Sequence, residues 1–180
     1  MKVEFLEHQP QLPANCALDS ITICFAYAHP ISELIHDMKY QSVLGICELL
    51  GELLYFHTKY PDATVVTSVP LHKESQRLRG FNQAKEVAVA FSRWSRIPYQ
   101  ELLRKQKQTT ARQATLREKS ARFENMLSDV FALHSRDKLP DSVLIIDDVY
   151  TTGATLQACA KVLKKHGVRH VFGLAVAHQS

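Results

Sequence analysis

Thirteen consecutive residues, Val143 to Thr155, read VLIIDDVYTTGAT and constrain the fold of this chain more than any other stretch. Val143 to Ile146 is an uninterrupted apolar run, which suits a strand buried on both faces of a parallel sheet. Two carboxylates follow, Asp147 and Asp148, then a turn of small and hydroxylated residues, then a helical pattern with Leu156, Cys159, Ala160 and Leu163 along one side. A strand, a tight turn and a helix N-terminus in that order form an anion site. Free backbone N–H groups and the positive end of the helix dipole point at the ligand. The threonine hydroxyls add donors, and Gly153 lets the backbone come close. Two acids in the same place would repel a bare phosphate. They make sense facing the neutral hydroxyls of a sugar, or a Mg²⁺ bridging sugar and phosphate. The ligand this predicts is a phosphorylated, polyhydroxylated ring.

The rest of the chain fits an α/β domain. Residues 1–15 carry little pattern, and Pro10 and Pro13 predict an irregular or mobile lead. Ile21 to Tyr27 reads as a strand or an extended arm, and Ile31 to Met38 as a short helix closed by Lys39 and Tyr40. Val43 to His57 is a second helix, with Val43, Ile46, Cys47, Leu50, Leu53 and Leu54 on one stripe. Thr64 to Val69 is β-branched and is expected to be the first strand of the parallel sheet. LHKESQRLRGFNQA then reads as a basic loop turning at Gly80 into a helix with Ala84, Val87, Ala88 and Phe91 at core spacing. Tyr99 to Leu103, Asp129 to Leu133 and Val171 to Ala177 are further strand candidates.

Charge is distributed unevenly. The whole chain has a net charge of +4, yet Arg104 to Asn125 alone holds seven Lys or Arg against two acids, a net +5. A connection that long and that basic reads as a lid able to close on a polyanion. Hydrophobic residues are 46% and charged residues 22%, ordinary for a globular protein. No apolar run reaches transmembrane length and the N-terminus does not read as a signal peptide, so a cytoplasmic location is expected. Cys16, Cys24, Cys47 and Cys159 are spaced for neither a zinc site nor a disulfide framework; Cys47 and Cys159 read as core.

Three motifs carry a family resemblance. VLIIDDVYTTGAT resembles the phosphoribosyl-pyrophosphate (PRPP) motif of the type I phosphoribosyltransferases, most of which have an aliphatic residue where this chain has Tyr150. SVPLHKESQRLRGFNQA is similar to the VPLH…R-RGFNQA segment of the ComF/GntX family, whose members are associated with competence (DNA uptake) and gluconate use. QTTARQATLREKSARFEN is similar to the same family's Q-T…Q…L…R…N segment at Gln108, Thr109, Gln113, Leu116, Arg122 and Asn125. The tyrosine is that family's form of the central motif, so Tyr150 becomes a match. The resemblance runs from about Tyr27 to the end of the chain. Members commonly begin with a zinc-binding region of paired CxxC motifs; this sequence has none, and no structural zinc is expected.

The resemblance implies a type I phosphoribosyltransferase fold: a doubly wound, mostly parallel sheet, an N-terminal helical or extended hood over residues 1–60, a core over 61–180 and a flexible basic lid over 104–125. It implies an enzyme that uses PRPP and Mg²⁺ and passes phosphoribosyl to an acceptor nucleophile it does not identify. By that resemblance Thr151, Thr152, Gly153, Ala154 and Thr155 would cradle the 5′-phosphate. Asp147 and Asp148 would accept from the ribose hydroxyls, hold Mg²⁺ directly or through those hydroxyls, and stabilise charge developing on the ring. Arg77, Arg79, Arg104, Lys105 and Lys107 would hold the pyrophosphate. The alternative is a non-catalytic module binding PRPP, a nucleotide or single-stranded DNA. A purine or pyrimidine salvage enzyme fits the RGFNQA and Q-T…R…N segments less well. A homodimer is in keeping with the superfamily.

Overall fold

The computed structural model describes residues 5–41, 43–106, 130–135 and 138–179. In chain order the strands are β1 (Phe5–His8), β2 (Ser20–Ala26), β3 (Val65–Ser68), β4 (Leu103–Lys105), β5 (Phe131–Leu133), β6 (Ser142–Tyr150) and β7 (His170–His178). The helices are α1 (Ile31–Tyr40), α2 (Leu44–His57), α3 (Lys73–Arg79), α4 (Gln83–Ser95) and α5 (Ala154–Lys165). Five strands form one sheet in the order β1-β2-β7-β6-β3, and β4 and β5 form a separate antiparallel pair. The pairs β2–β7, β7–β6 and β6–β3 are parallel; only β1 runs antiparallel, on the edge.

The apolar run of β6 explains why both faces of the sheet are covered. Alternation sends Val143 and Ile145 toward Leu156, Cys159 and Leu163 of α5. It sends Leu144 and Ile146 toward Ile35 of α1, Leu50 of α2 and Val87 and Phe91 of α4. Each such buried side chain stabilises the fold by roughly 1.5–3 kcal/mol. Helices α2 and α4 touch through Gly51, where a Cβ would sit 2.5 Å from the Ala90 Cβ. Cys47 and Cys159 are buried in the two cores as expected, and burial pushes the Cys47 thiol up to about 12. No helix among the described residues is long and apolar enough to cross a membrane.

Four expectations change. Residues 5–8 are a strand, because the free edge of β2 supplies backbone partners that FLEH does not advertise. The first parallel strand is β2, not β3. Ile21, Ile23 and Phe25 are buried on alternate positions with Thr22 and Cys24 between them, so this strand is covered on both sides like β6. Part of the expected hood over 1–60 is therefore sheet, and the core does not begin at residue 61. The basic loop after β3 contains α3, started by His72, whose Nδ1 accepts from the Glu74 N–H at 3.3 Å. In the Tyr99–Leu103 stretch only Tyr99 bridges to the sheet, at Val66, and the strand β4 begins at Leu103.

Candidate active site at the carboxyl end of strand β6

Strand β6 outruns its edge neighbour. Ser68 pairs with Ile146, Val69 donates its N–H to the Ile146 carbonyl at 3.0 Å, and Pro70 follows. Among the described residues, β6 has only β7 paired beside it from Asp147 onward, with Asp147 opposite Ala175 and Tyr150 opposite His178. The two acids therefore stand at the carboxyl edge of a parallel sheet, where open α/β sheets bind ligands.

Adjacent strand residues point to opposite faces. Asp148 meets Lys39 at the end of α1, whose ammonium lies 2.9 Å from its Oδ2; the two side chains are 17% and 21% exposed. Asp147 is half-buried and uses Oδ1 to accept the Asp148 N–H at 2.9 Å. Burial first, and the Asp148 charge second, hold the Asp147 carboxyl well above the usual carboxylate range; the Asp148 N–H and Lys39 oppose this. The native state therefore holds this proton more tightly than the unfolded chain does. Between the ordinary value of 3.8 and the raised one, stability falls as pH rises. Asp147→Asn is expected to raise the melting temperature at neutral pH by a few degrees and to flatten this acid-side slope. Thermal melts from about pH 4 to about pH 8 check it, and a lower melting temperature across that range would contradict it.

The turn after β6 is built around Gly153, which caps α5 at φ 75° and ψ 1°. A Cβ there would meet the Tyr150 ring at 2.7–3.0 Å, so tyrosine and glycine are packed as a pair. Thr151 and Thr152 are exposed, and the Thr152 hydroxyl accepts the Ala154 N–H at 3.4 Å. Gly153 offers no side-chain cap, and the N–H groups of Thr155 and Leu156 precede any acceptor within the helix. The five turn residues named from the sequence are thus brought together at one helix N-terminus, beside the acid pair. The segment before β2 braces it: Cys16 Sγ and the Ala17 N–H both donate to Gln157 Oε1, at 3.0 and 2.8 Å.

The expected cations divide into two groups. Arg77, Arg104 and Lys105 line one cavity of about 1020 Å³, together with His72, Asn82, Lys85, Glu101 and His134. Arg104 is held there by donating from Nε to the Leu133 carbonyl at 3.0 Å, and Lys105 lies 5.7 Å from the Phe131 ring centre. Arg79 points elsewhere: its guanidinium sits 5.9 Å from the Tyr40 ring centre and donates to Gln83 Oε1 at 3.4 Å. Lys107 and the lid beyond residue 106 lie outside the described residues.

Several site residues had no signal in the sequence read alone. Lys39 looked like the end of a helix, and its partner is far away in the chain. Asn82 was only a letter in RGFNQA. In the fold its Nδ2 donates to the Val69 carbonyl at 3.0 Å while its Oδ1 caps α4 through the Lys85 N–H, tying that helix to the end of β3. Gln83 is 2% exposed at the first helical position, where a polar side chain normally meets water.

The chain matches the family model for the phosphoribosyl transferase domain over residues 78–180. It is 34% identical over 190 residues to competence protein F of Haemophilus influenzae, covering 96% of this chain and 81% of the relative. It is 31% identical over 156 residues to the DNA utilization protein YhgH of Escherichia coli, covering 81% of this chain and 66% of that protein. Among solved structures, glutamine PRPP amidotransferase from B. subtilis superposes with a TM-score of 0.51 at 19% identity, over 72% of this chain and 25% of the other. That likeness concerns the fold, which is a phosphoribosyltransferase α/β domain. This chain belongs to the phosphoribosyl transferase domain family, in the branch that includes competence protein F.

Proposed function

We propose that this chain binds PRPP with Mg²⁺ at the carboxyl end of β6 and transfers its phosphoribosyl group to an acceptor nucleophile in DNA utilization. One observation carries the reading: an acid pair ending a buried strand, followed at once by a glycine-capped helix N-terminus. The turn from Thr151 to Thr155 takes the 5′-phosphate through N–H and hydroxyl donors. Asp147 and Asp148 accept from the ribose hydroxyls and face the ring carbon where positive charge develops. Arg77, Arg104 and Lys105, gathered on one cavity, balance the leaving pyrophosphate.

The donor set fits a hard divalent cation, since both acids offer carboxylate oxygen and Asp148 already holds an ammonium at 2.9 Å. When bound, Mg²⁺ would be held by Asp147 and Asp148, directly or through the sugar hydroxyls, and would neutralise charge on the pyrophosphate. Lys39 then gives up or shares its carboxylate, so its role is to keep Asp148 in place before the ligand arrives.

The same cations could instead hold the backbone of single-stranded DNA without catalysis. The described residues lining that cavity include no Phe, Tyr or Trp, which disfavours stacked bases. Competition across a salt series separates the readings. PRPP binding should require Mg²⁺, and Arg77→Ala should weaken it about tenfold. Single-stranded DNA that binds without Mg²⁺, falls steeply with salt and is untouched by excess PRPP would favour the binding module.

A further inference from the structure

Helices α2 and α4 cover the same face of the sheet, and their far ends meet in an aromatic cluster. The Phe56 ring meets the Trp94 ring edge to face, with centroids 5.2 Å apart. Tyr55 stacks on the same indole at 6.2 Å and reaches the buried Phe91 at 6.5 Å, so the cluster is anchored in the core. Its outer members are not covered: Phe56 is 58% exposed and Trp94 45%. Leu49 and Leu53 share the Phe56 side of α2 by helical spacing, and Leu49 is exposed as well. Apolar residues scattered singly on a surface need no account, but these are contiguous, and aromatic residues mark interfaces.

The charges around this face are divided between the two helices. Both carboxylates of α2 are here, Glu48 and Glu52, while α4 ends in Arg93 and is capped by Arg96. Glu48 Oε1 and Arg93 Nη1 lie 2.8 Å apart, and both side chains are largely exposed. A face with acids on one helix and bases on the next is complementary to itself. Turned about a two-fold axis, it sets the acids of each copy over the bases of the other. The same acids would repel the backbone of a nucleic acid.

The face also stands clear of the candidate active site. Asn82 ties the start of α4 to the end of β3, and the chain leaving α4 returns to the beginning of β3, where Val66 donates its N–H to the Pro98 carbonyl at 3.0 Å. Past the end of α2, the Lys59 carbonyl accepts the hydroxyl of Thr22, early in β2, at 3.3 Å. Phe56 and Trp94 are therefore at the amino edge of the sheet, and Asp147 and Asp148 at the carboxyl edge.

We propose that the α2–α4 face is the interface of a two-fold homodimer. Leu49, Phe56 and Trp94 form its apolar centre, and Glu48 and Arg93 cross to their counterparts in the other copy. The superfamily likeness is in keeping with a homodimer but names no surface for it. The proposal is independent of the PRPP reading, since both carboxyl edges stay open in such a dimer.

Sedimentation equilibrium tests it. The wild type is expected to dimerise with a Kd on the order of micromolar. Phe56→Glu should raise that Kd by about a hundredfold and leave the far-UV circular dichroism unchanged. Glu48→Arg and Arg93→Glu should each be monomeric alone and should dimerise when mixed in equal amounts, because each variant then faces the opposite charge in the other. Trp94 is the chain's one tryptophan, so its emission should shift to the blue on mixing. A wild type still monomeric at about 100 μM would overturn the proposal. So would a dimer indifferent to Phe56→Glu, which puts the interface elsewhere, or a mixture that stays monomeric, which confines the ion pair to one chain. Quenching of Trp94 by a single-stranded oligonucleotide in a monomeric wild type would give the face to nucleic acid and overturn it as well.

Discussion

Gly153→Val is expected to abolish Mg²⁺-dependent PRPP binding, with at least about a hundredfold loss, and to lower the melting temperature. Two independent strains meet at this position. The backbone is at φ 75°, where a β-branched side chain is a steric outlier costing about 1–3 kcal/mol. The space is also taken, since even a Cβ falls 2.7 Å from Tyr150 Cε2 and 2.8 Å from its hydroxyl. Tyr150 cannot yield freely. It is the last residue of β6, its carbonyl accepts the Gln179 N–H at 2.9 Å, and its ring lies 5.6 Å from that of His178. Relief therefore comes from the turn, which would pull the first N–H groups of α5 away from the phosphate. Gly153→Ala should give a smaller loss. Adding Tyr150→Ala to it should recover part of the binding, because it removes the clash and leaves only the backbone strain. Binding by Gly153→Val at wild-type affinity would mean that this turn does not hold the ligand.

Asp148→Asn should weaken PRPP binding by about a hundredfold for a different reason. The amide keeps the shape and loses the charge that sugar hydroxyls, a cation and the developing ring charge all require. It also leaves the Lys39 ammonium, 21% exposed, without its carboxylate. The stability cost should fall between the ~0–1 kcal/mol of an exposed pair and the ~3–5 kcal/mol of breaking a buried one. Adding Lys39→Met should restore much of that stability and none of the binding. Restored stability together with restored binding would show that Asp148 matters only as a support for α1.

The strand, turn and helix from Val143 to Lys165 were legible because each level agreed: apolar run, small turn residues and helical spacing pointed the same way. The Gly153 position was legible for the same reason. Its contact with Tyr150 was not, because it depends on how the end of β6 bends back over the turn. The place of β2 in the sheet was hidden because a short apolar run reads equally as a strand or an arm until its neighbours are known. Helix α3 was hidden because six charged and polar residues with one leucine look like a solvated loop; Leu78 is indeed 88% exposed. Lys39 and Gln83 escaped for one shared reason. Each is defined by what it meets across the fold, and neither residue type announces burial or a partner on its own.

The most direct measurement is a calorimetric titration of PRPP into the wild type, with and without Mg²⁺, repeated on Asp148→Asn. Saturable binding at one site per chain that needs Mg²⁺ and is lost in the variant is the expected result. No binding to the wild type, or equal binding by the variant, would contradict a PRPP site at the end of β6.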